Sequence, residues 1–171
     1  MSLLYLVTGA AGNLGSSITR QLIDEGKRVR ALVLPNDKAA ERVPREVELC
    51  RGDVLNKEDI ARFFAADDET KLIVIHCAGI VTINRHYNKT VHNVNVQGTR
   101  NIVDQCVNSK VKKLIYVSSV HAIPELPKGE IIREVECFDP EKVVGFYGKT
   151  KAEASNIVMN AVKELGDREE R

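Results

Sequence analysis

Charge of one sign is the first thing this chain lacks. Its 25 lysines and arginines stand against 24 aspartates and glutamates. The basic residues are scattered rather than gathered into a stripe that could neutralise a row of phosphates, so no nucleic-acid partner is expected. Long apolar runs are missing too. The opening MSLLYLVTGAAG has no basic segment and only a short hydrophobic stretch, which suits a first β-strand and neither a secretory leader nor a membrane span. A cytoplasmic protein with no membrane partner is the expectation. Cysteine is sparse: Cys50, Cys77, Cys106 and Cys137 lie far apart, with no CxxC pair and no histidine at finger-like spacing. That pattern argues against a metal site or a disulfide framework and leaves four reduced thiols that fill space.

What is present is a chain of 171 residues, 43% of them hydrophobic. That suffices for one core that removes roughly two-thirds or more of the unfolded surface from water. One domain over residues 1–166 is expected, followed by a charged tail at 167–171. Five runs rich in β-branched and apolar residues read as strands: LLYLVT (3–8), RVRALVL (28–34), VELCRG (47–52), KLIVIHC (71–77) and KLIYVSS (113–119). Apolar recurrence at three and four predicts helices over 13–25, with Leu14, Ile18 and Leu22 on one stripe, then over 56–65, 88–108 and 144–165. The last carries Ala154, Ile157, Val158, Ala161, Val162 and Leu165 as a stripe for the sheet, with Gly166 placed to cap it. Near-continuous apolar strands alternating with helices give an α/β class, a doubly wound parallel sheet with helices on both faces. Residues 120–145 hold three prolines and no period, and read as a long loop between the fifth strand and the last helix.

Directly after the first strand stands Thr8-Gly9-Ala10-Ala11-Gly12-Asn13-Leu14-Gly15, opening the first helix. There a diphosphate can meet free backbone N–H groups and the positive end of the helix dipole. Gly9 permits the tight turn, Gly12 lets backbone approach phosphate, and Gly15 lets helix and strand pack closely. A turn that merely reverses the chain is the plainer reading, and the strand-to-helix context weighs against it.

This TGAAGNLG resembles the cofactor motif of the extended short-chain dehydrogenases/reductases, the NAD-dependent epimerase/dehydratase superfamily, and the resemblance runs to about Gly166. It implies a Rossmann-type sheet of about five strands in order 3-2-1-4-5, with Gly9, Ala11, Gly12, Asn13, Leu14 and Gly15 against the cofactor. At the second strand's end the family holds an acidic residue for NAD or a basic one for NADP, and here stands Leu34-Pro35-Asn36. With no carboxylate in that triplet, and with Arg30, Lys38 and Arg42 near in sequence, NADP is slightly favoured over NAD. Gly52-Asp53-Val54 resembles the family's adenine-contacting GD pair, with Asp53 accepting from the exocyclic amine and Val54 against the ring; a helix-leading turn is the plain alternative. Cys77, Ala78 and Gly79 resemble the small-residue turn beneath ribose and nicotinamide, and His76 beside them reads as structural.

Tyr147 and Lys151 stand four apart at a predicted helix start, so both project from one face. A phenol that titrates near pH 10 needs a fixed cation to exchange its proton at neutral pH, and Lys151 supplies one. By the resemblance Ser119 of the pair Ser118-Ser119 bonds the substrate oxygen, Tyr147 is general acid and base, and Lys151 also holds the cofactor ribose. Asn95, in Asn95-Val96-Gln97-Gly98-Thr99, props the site; a water-exposed helix asparagine is the alternative. His121, in the loop after Ser119, reads as a solvated or hydrogen-bonded bystander rather than a substrate contact.

The resemblance implies an NAD(P)-dependent oxidoreductase acting on a ketone or secondary alcohol, similar to the dihydroflavonol-reductase-like and 3β-hydroxysteroid-dehydrogenase-like branches. Nucleotide-sugar epimerases or dehydratases stand behind, and a non-catalytic NAD(P)-binding sensor is a third class, which retention of Tyr147 disfavours. Extended members continue into a sixth strand and a substrate lobe. After Gly166 this sequence reads DREER, so a chain truncated from a longer protein is expected. A small-molecule substrate and a homodimer, built through the fourth and last helices, complete the expectation.

Overall fold

The computed structural model describes residues 2–169. Met1 and residues 170–171 of the expected tail lie outside them. Five strands form one sheet: β1 (Ser2–Thr8), β2 (Arg28–Val33), β3 (Glu48–Arg51), β4 (Thr70–His76) and β5 (Lys113–Tyr116). All neighbours are parallel, and the order is β3-β2-β1-β4-β5, as the resemblance implies. Leu6 and Val7 are consecutive and therefore point to opposite faces of the sheet, yet both are fully buried. That double burial is why the strands read as unbroken apolar runs.

The chain divides into two compact units, Met1–Gly79 with Asp104–Val117, and Ile80–Val103 with Ser118–Arg171. The first holds the sheet, α1 (Asn13–Asp24), α2 (Lys57–Phe64) and a 3₁₀ turn at Lys38–Arg42. Ile18, Leu22 and Ile23 of α1 pack against Val7, Val29, Ala31 and Ile75. Leu14, expected on the same stripe, is instead 49% exposed, in the first turn of α1 beside exposed Gly12 and Asn13. α2 begins where Asn56 Oδ1 accepts the Asp59 N–H at 2.9 Å, an N-cap that satisfies one orphan donor.

The second unit holds α3 (Lys89–His92), a π-helical turn at Asn93–Gly98, a 3₁₀ turn at Val120–Ala122 and α5 (Phe146–Glu169). Its core joins Ala122, Val143 and Ala152, with Phe138 packed against them. The uniform helix expected over 88–108 is therefore broken: α3 passes through the π turn into α4 (Thr99–Asn108). The cause lies at Asn95, whose carbonyl accepts the Thr99 hydroxyl at 2.7 Å and whose side chain is engaged elsewhere, so the regular ladder yields there.

Two expectations for the last helix fail. It runs through Gly166 to Glu169, so Gly166 is no cap and the first three residues of the charged tail are helical. Of its apolar stripe, Val162 and Leu165 remain exposed at 59% and 42%. The 120–145 segment is a loop with the 3₁₀ turn at its start. Its Phe138 is held by Asn156, which accepts the Phe138 N–H at 3.1 Å and donates to its carbonyl at 2.7 Å.

Candidate functional site

In the first unit, Gly9 takes φ +67° and fits against the end of β4. A Cβ there would lie 2.8 Å from Ala78 N and 2.9 Å from Cys77 C. A Cβ on Gly15 would collide with the Gly9 carbonyl. The turn and the first coil of α1 thus close on each other without side chains between them. Gly12 N donates to Gly9 O at 3.0 Å, and no side chain caps the N-terminus of α1, whose first turn holds no acid. Gly12, Asn13 and Leu14 are exposed, while Ala11 is buried. Uncapped N–H groups, positive dipole and bare backbone fit a diphosphate.

Thr8, fully buried, ties this turn to the next one: its hydroxyl accepts Ala78 N at 3.2 Å and shares a 2.6 Å hydrogen bond with His76 Nδ1. Cys77 N donates to Thr8 O at 3.2 Å. His76 is thereby a structural link, and Cys77, Ala78 and Gly79 form the small-residue turn that abuts Gly9. Cys106 alone among the four thiols is buried, and burial pushes it up to about 12; Cys137 is exposed rather than a filler.

At the neighbouring strand ends, Leu34 is half exposed. Asp53 does build the helix-leading turn, its Oδ1 accepting Leu55 N at 2.9 Å, while its own N–H goes to Asp59 Oδ2 at 2.9 Å. That bond, with the Arg62 guanidinium, holds the Asp59 carboxyl below its usual range. Val54 is buried. Arg30 is engaged within the fold. Its guanidinium donates to Phe63 O at 2.8 Å and Ala65 O at 2.6 Å and lies 2.8 Å from Glu48, which commits it to the C-terminus of α2. Lys38 and Arg42 are exposed. Two groups escaped the sequence reading: Arg51, donating to Pro35 O at 2.9 Å, and Asp37, whose carboxylate caps Ala39 N at 2.8 Å.

In the second unit, α5 places Tyr147, partly exposed, one turn before Lys151, which is 5% exposed. The His121 and Tyr147 rings meet edge to face, with centroids 6.3 Å apart. Ser119 Oγ accepts the His121 N–H at 3.2 Å, and a Cβ on Gly148 would lie 2.6 Å from the His121 carbonyl. The turn after Ser119 and the first coil of α5 are therefore joined through residue 121, and Gly148 is the residue that permits it. The only signal for this was a glycine beside Tyr147.

Asn95 is 1% exposed, which removes the water-exposed alternative. Its Oδ1 accepts Ile80 N at 2.7 Å, and its Nδ2 donates to Ile80 O and Thr150 Oγ1, both at 3.0 Å. Among the described residues no cluster of metal-ligating side chains occurs, and no helix is long and apolar enough to cross a membrane.

The profile of the 3-beta hydroxysteroid dehydrogenase/isomerase family matches residues 6–168. The 3 beta-hydroxysteroid dehydrogenase type 7 of Mus musculus is 33% identical over 94% of this chain and 45% of its own length. Among solved structures, gox2253 matches with TM-score 0.78 and 29% identity, over 95% of this chain and 48% of that one. The UDP-glucose 4-epimerase of Thermus thermophilus, in complex with NAD, matches with TM-score 0.77 and 27% identity, over 95% and 52%. The chain spans about half the length of the curated relatives it matches.

Proposed function

We propose that this chain, which belongs to the 3-beta hydroxysteroid dehydrogenase/isomerase family, is the dinucleotide-binding part of an oxidoreductase that interconverts a ketone and a secondary alcohol. The observation that carries the reading is the turn at Gly9–Gly15, where backbone closes on backbone and the N-terminus of α1 is left uncapped. Residues 1–166 are assigned to cofactor binding, and the substrate lobe to the part of the relatives that lies outside the match.

Bound NAD(P) supplies the hydride or accepts it. On the protein's side, the N–H groups of the α1 turn hold the diphosphate, with Ala11, Asn13 and Leu14 beside it. Leu34, Asp53 and Val54 serve the adenosine end, and Cys77, Ala78 and Gly79 leave room where bulk would obstruct. Tyr147 gives a proton to the ketone oxygen in reduction and takes it from the hydroxyl in oxidation. Lys151 stabilises the phenolate left behind. Ser119 Oγ, already accepting from His121 N, turns its own proton toward the substrate oxygen. Asn95 positions the segment at Ile80 and the helix at Thr150.

NADP is the favoured form, although Arg30 is engaged with the carbonyls of Phe63 and Ala65. Lys38, Arg42 and Arg51 are the cations left to meet a 2′-phosphate. Nucleotide-sugar epimerisation or dehydration is the second reading, favoured by the match to the Thermus enzyme. The cytoplasm is the proposed compartment, in keeping with four cysteines spaced too far apart in sequence to read as a disulfide framework. A homodimer is proposed because exposed Val162 and Leu165 leave an apolar strip on α5.

Calorimetric titration with NADH and NADPH tests the cofactor reading, and no binding at millimolar concentration overturns it. In a form of the protein that turns over ketones, Tyr147→Phe abolishes turnover and leaves dinucleotide affinity within about twofold. Retained turnover refutes the role of Tyr147.

A further inference from the structure

Two hydroxyls on α5 stand outside the chemistry just described, and each grips the backbone of one of its two reactive residues. Thr150 Oγ1 donates to Tyr147 O at 2.8 Å and accepts from Asn95 Nδ2 at 3.0 Å. Ser155 Oγ donates to Lys151 O at 2.8 Å and lies 2.7 Å from Ser118 Oγ. A serine hydroxyl has a single proton. Because Ser155 directs its own to the Lys151 carbonyl, Ser118 is the donor between the two serines. Two chains of the same polarity result. One runs from the Asn95 amide through the Thr150 hydroxyl to the carbonyl of Tyr147, and the other from the Ser118 hydroxyl through the Ser155 hydroxyl to the carbonyl of Lys151.

Thr150, Ser155 and Asn95 are all buried, so water has little access to the hydroxyls at the centre of each chain. A hydroxyl that back-bonds inside a helix tends to weaken and bend it. Here two such bonds fall on the two carbonyls that matter, and each is backed by a donor from a different segment.

We propose that Thr150 and Ser155 are positioning residues, which fix the height and rotation of Tyr147 and Lys151 by fastening their carbonyls to Asn95 and Ser118. This rests on the roles given to Tyr147 and Lys151 above. It also divides the serine pair: Ser118 is consumed in the second brace, and Ser119 alone is left to address a substrate.

The test compares Thr150→Val, which keeps shape and removes the hydroxyl, with Thr150→Ser, which restores it, and with Ser155→Ala. Folding is first checked by circular dichroism. The carbon-13 shifts of Tyr147 Cζ and Lys151 Cε are then read in the protein without dinucleotide. Thr150→Val is expected to move the Tyr147 signal and Thr150→Ser to return it, while Ser155→Ala moves Lys151 more than Tyr147. Where turnover is measurable, kcat falls about tenfold in Thr150→Val with the dinucleotide KM within about twofold. Folded variants with both signals unmoved overturn the proposal, whatever the enzyme does. If Thr150→Val does not fold, Ser155→Ala and Ser118→Ala carry the test, each expected to move the Lys151 signal more than the Tyr147 signal. Shifted signals in a protein that binds no dinucleotide uphold the braces and overturn the oxidoreductase reading instead.

Discussion

Replacing Gly9 by alanine, beside the same change at Gly26, separates backbone strain from crowding at the proposed diphosphate turn. The two glycines share a left-handed backbone, φ +67° and +70°, but a Cβ on Gly26 meets nothing within 4 Å whereas one on Gly9 meets Ala78 N at 2.8 Å and Cys77 C at 2.9 Å. The conformational term is common to both and costs roughly 1–2 kcal/mol. Crowding against backbone atoms, which cannot rotate away, adds roughly 1–3 kcal/mol at Gly9 alone. At about 2–4 °C per kcal/mol for a chain of this size, Tm falls by about 4 °C in Gly26→Ala and by about 10 °C in Gly9→Ala. The chain lacks tryptophan, so far-UV circular dichroism on heating is the suitable assay, with NADPH titration in parallel. Gly26→Ala should bind dinucleotide like the parent, and Gly9→Ala should fail at concentrations that saturate it. Equal losses of Tm, or unimpaired binding by Gly9→Ala, would refute the reasoning that the turn is closed by contact with β4's end.

Cys106, pushed up to about 12 by burial, should resist iodoacetamide at pH 8 while exposed Cys137 reacts at once; simultaneous labelling, read by mass spectrometry, contradicts the burial. Arg30→Gln should cost about 1–3 kcal/mol in urea unfolding by stripping charged donors from the α2 carbonyls, and leave the NADH-to-NADPH affinity ratio unchanged; an altered ratio would return Arg30 to the cofactor site. The Asp59 carboxyl is held below its ordinary range by the Asp53 N–H and Arg62, so its contribution is full above the unfolded value and lost as pH falls through the folded one. The stability gap between parent and Asp59→Asn should therefore be widest above about pH 5 and close below about pH 4 in urea titrations, and a gap that grows on acidification reverses the assignment.

The five strands and the glycine turn were legible because each is written locally, as an apolar run or a spacing between glycines. Their order came from the resemblance, since nothing in a strand names its neighbour. What escaped was set by partners distant in sequence. Arg30 looked like a free cation until the carbonyls of Phe63 and Ala65 claimed it. Leu14 kept the helical period yet is half exposed in the first turn of α1. Gly166 has the residue type of a cap, but capping depends on the chain leaving the helix, and α5 continues to Glu169. Thr150 and Ser155 could be seen to lie three and four residues after Tyr147 and Lys151, whereas the donors behind them, Asn95 and Ser118, come from 55 and 37 residues away.

The π turn at Asn93–Gly98 amounts to an insertion that the helix has kept. An α-helical residue advances the chain by about 100° around the axis and the wide turn absorbs one such step, so deleting a residue there would restore a regular pitch while rotating the residues inside the turn away from their present directions. Asn95 would then leave Ile80 and Thr150 together. A shorter helix in this stretch would be the better helix, and the worse scaffold for the residues that the wider coil holds.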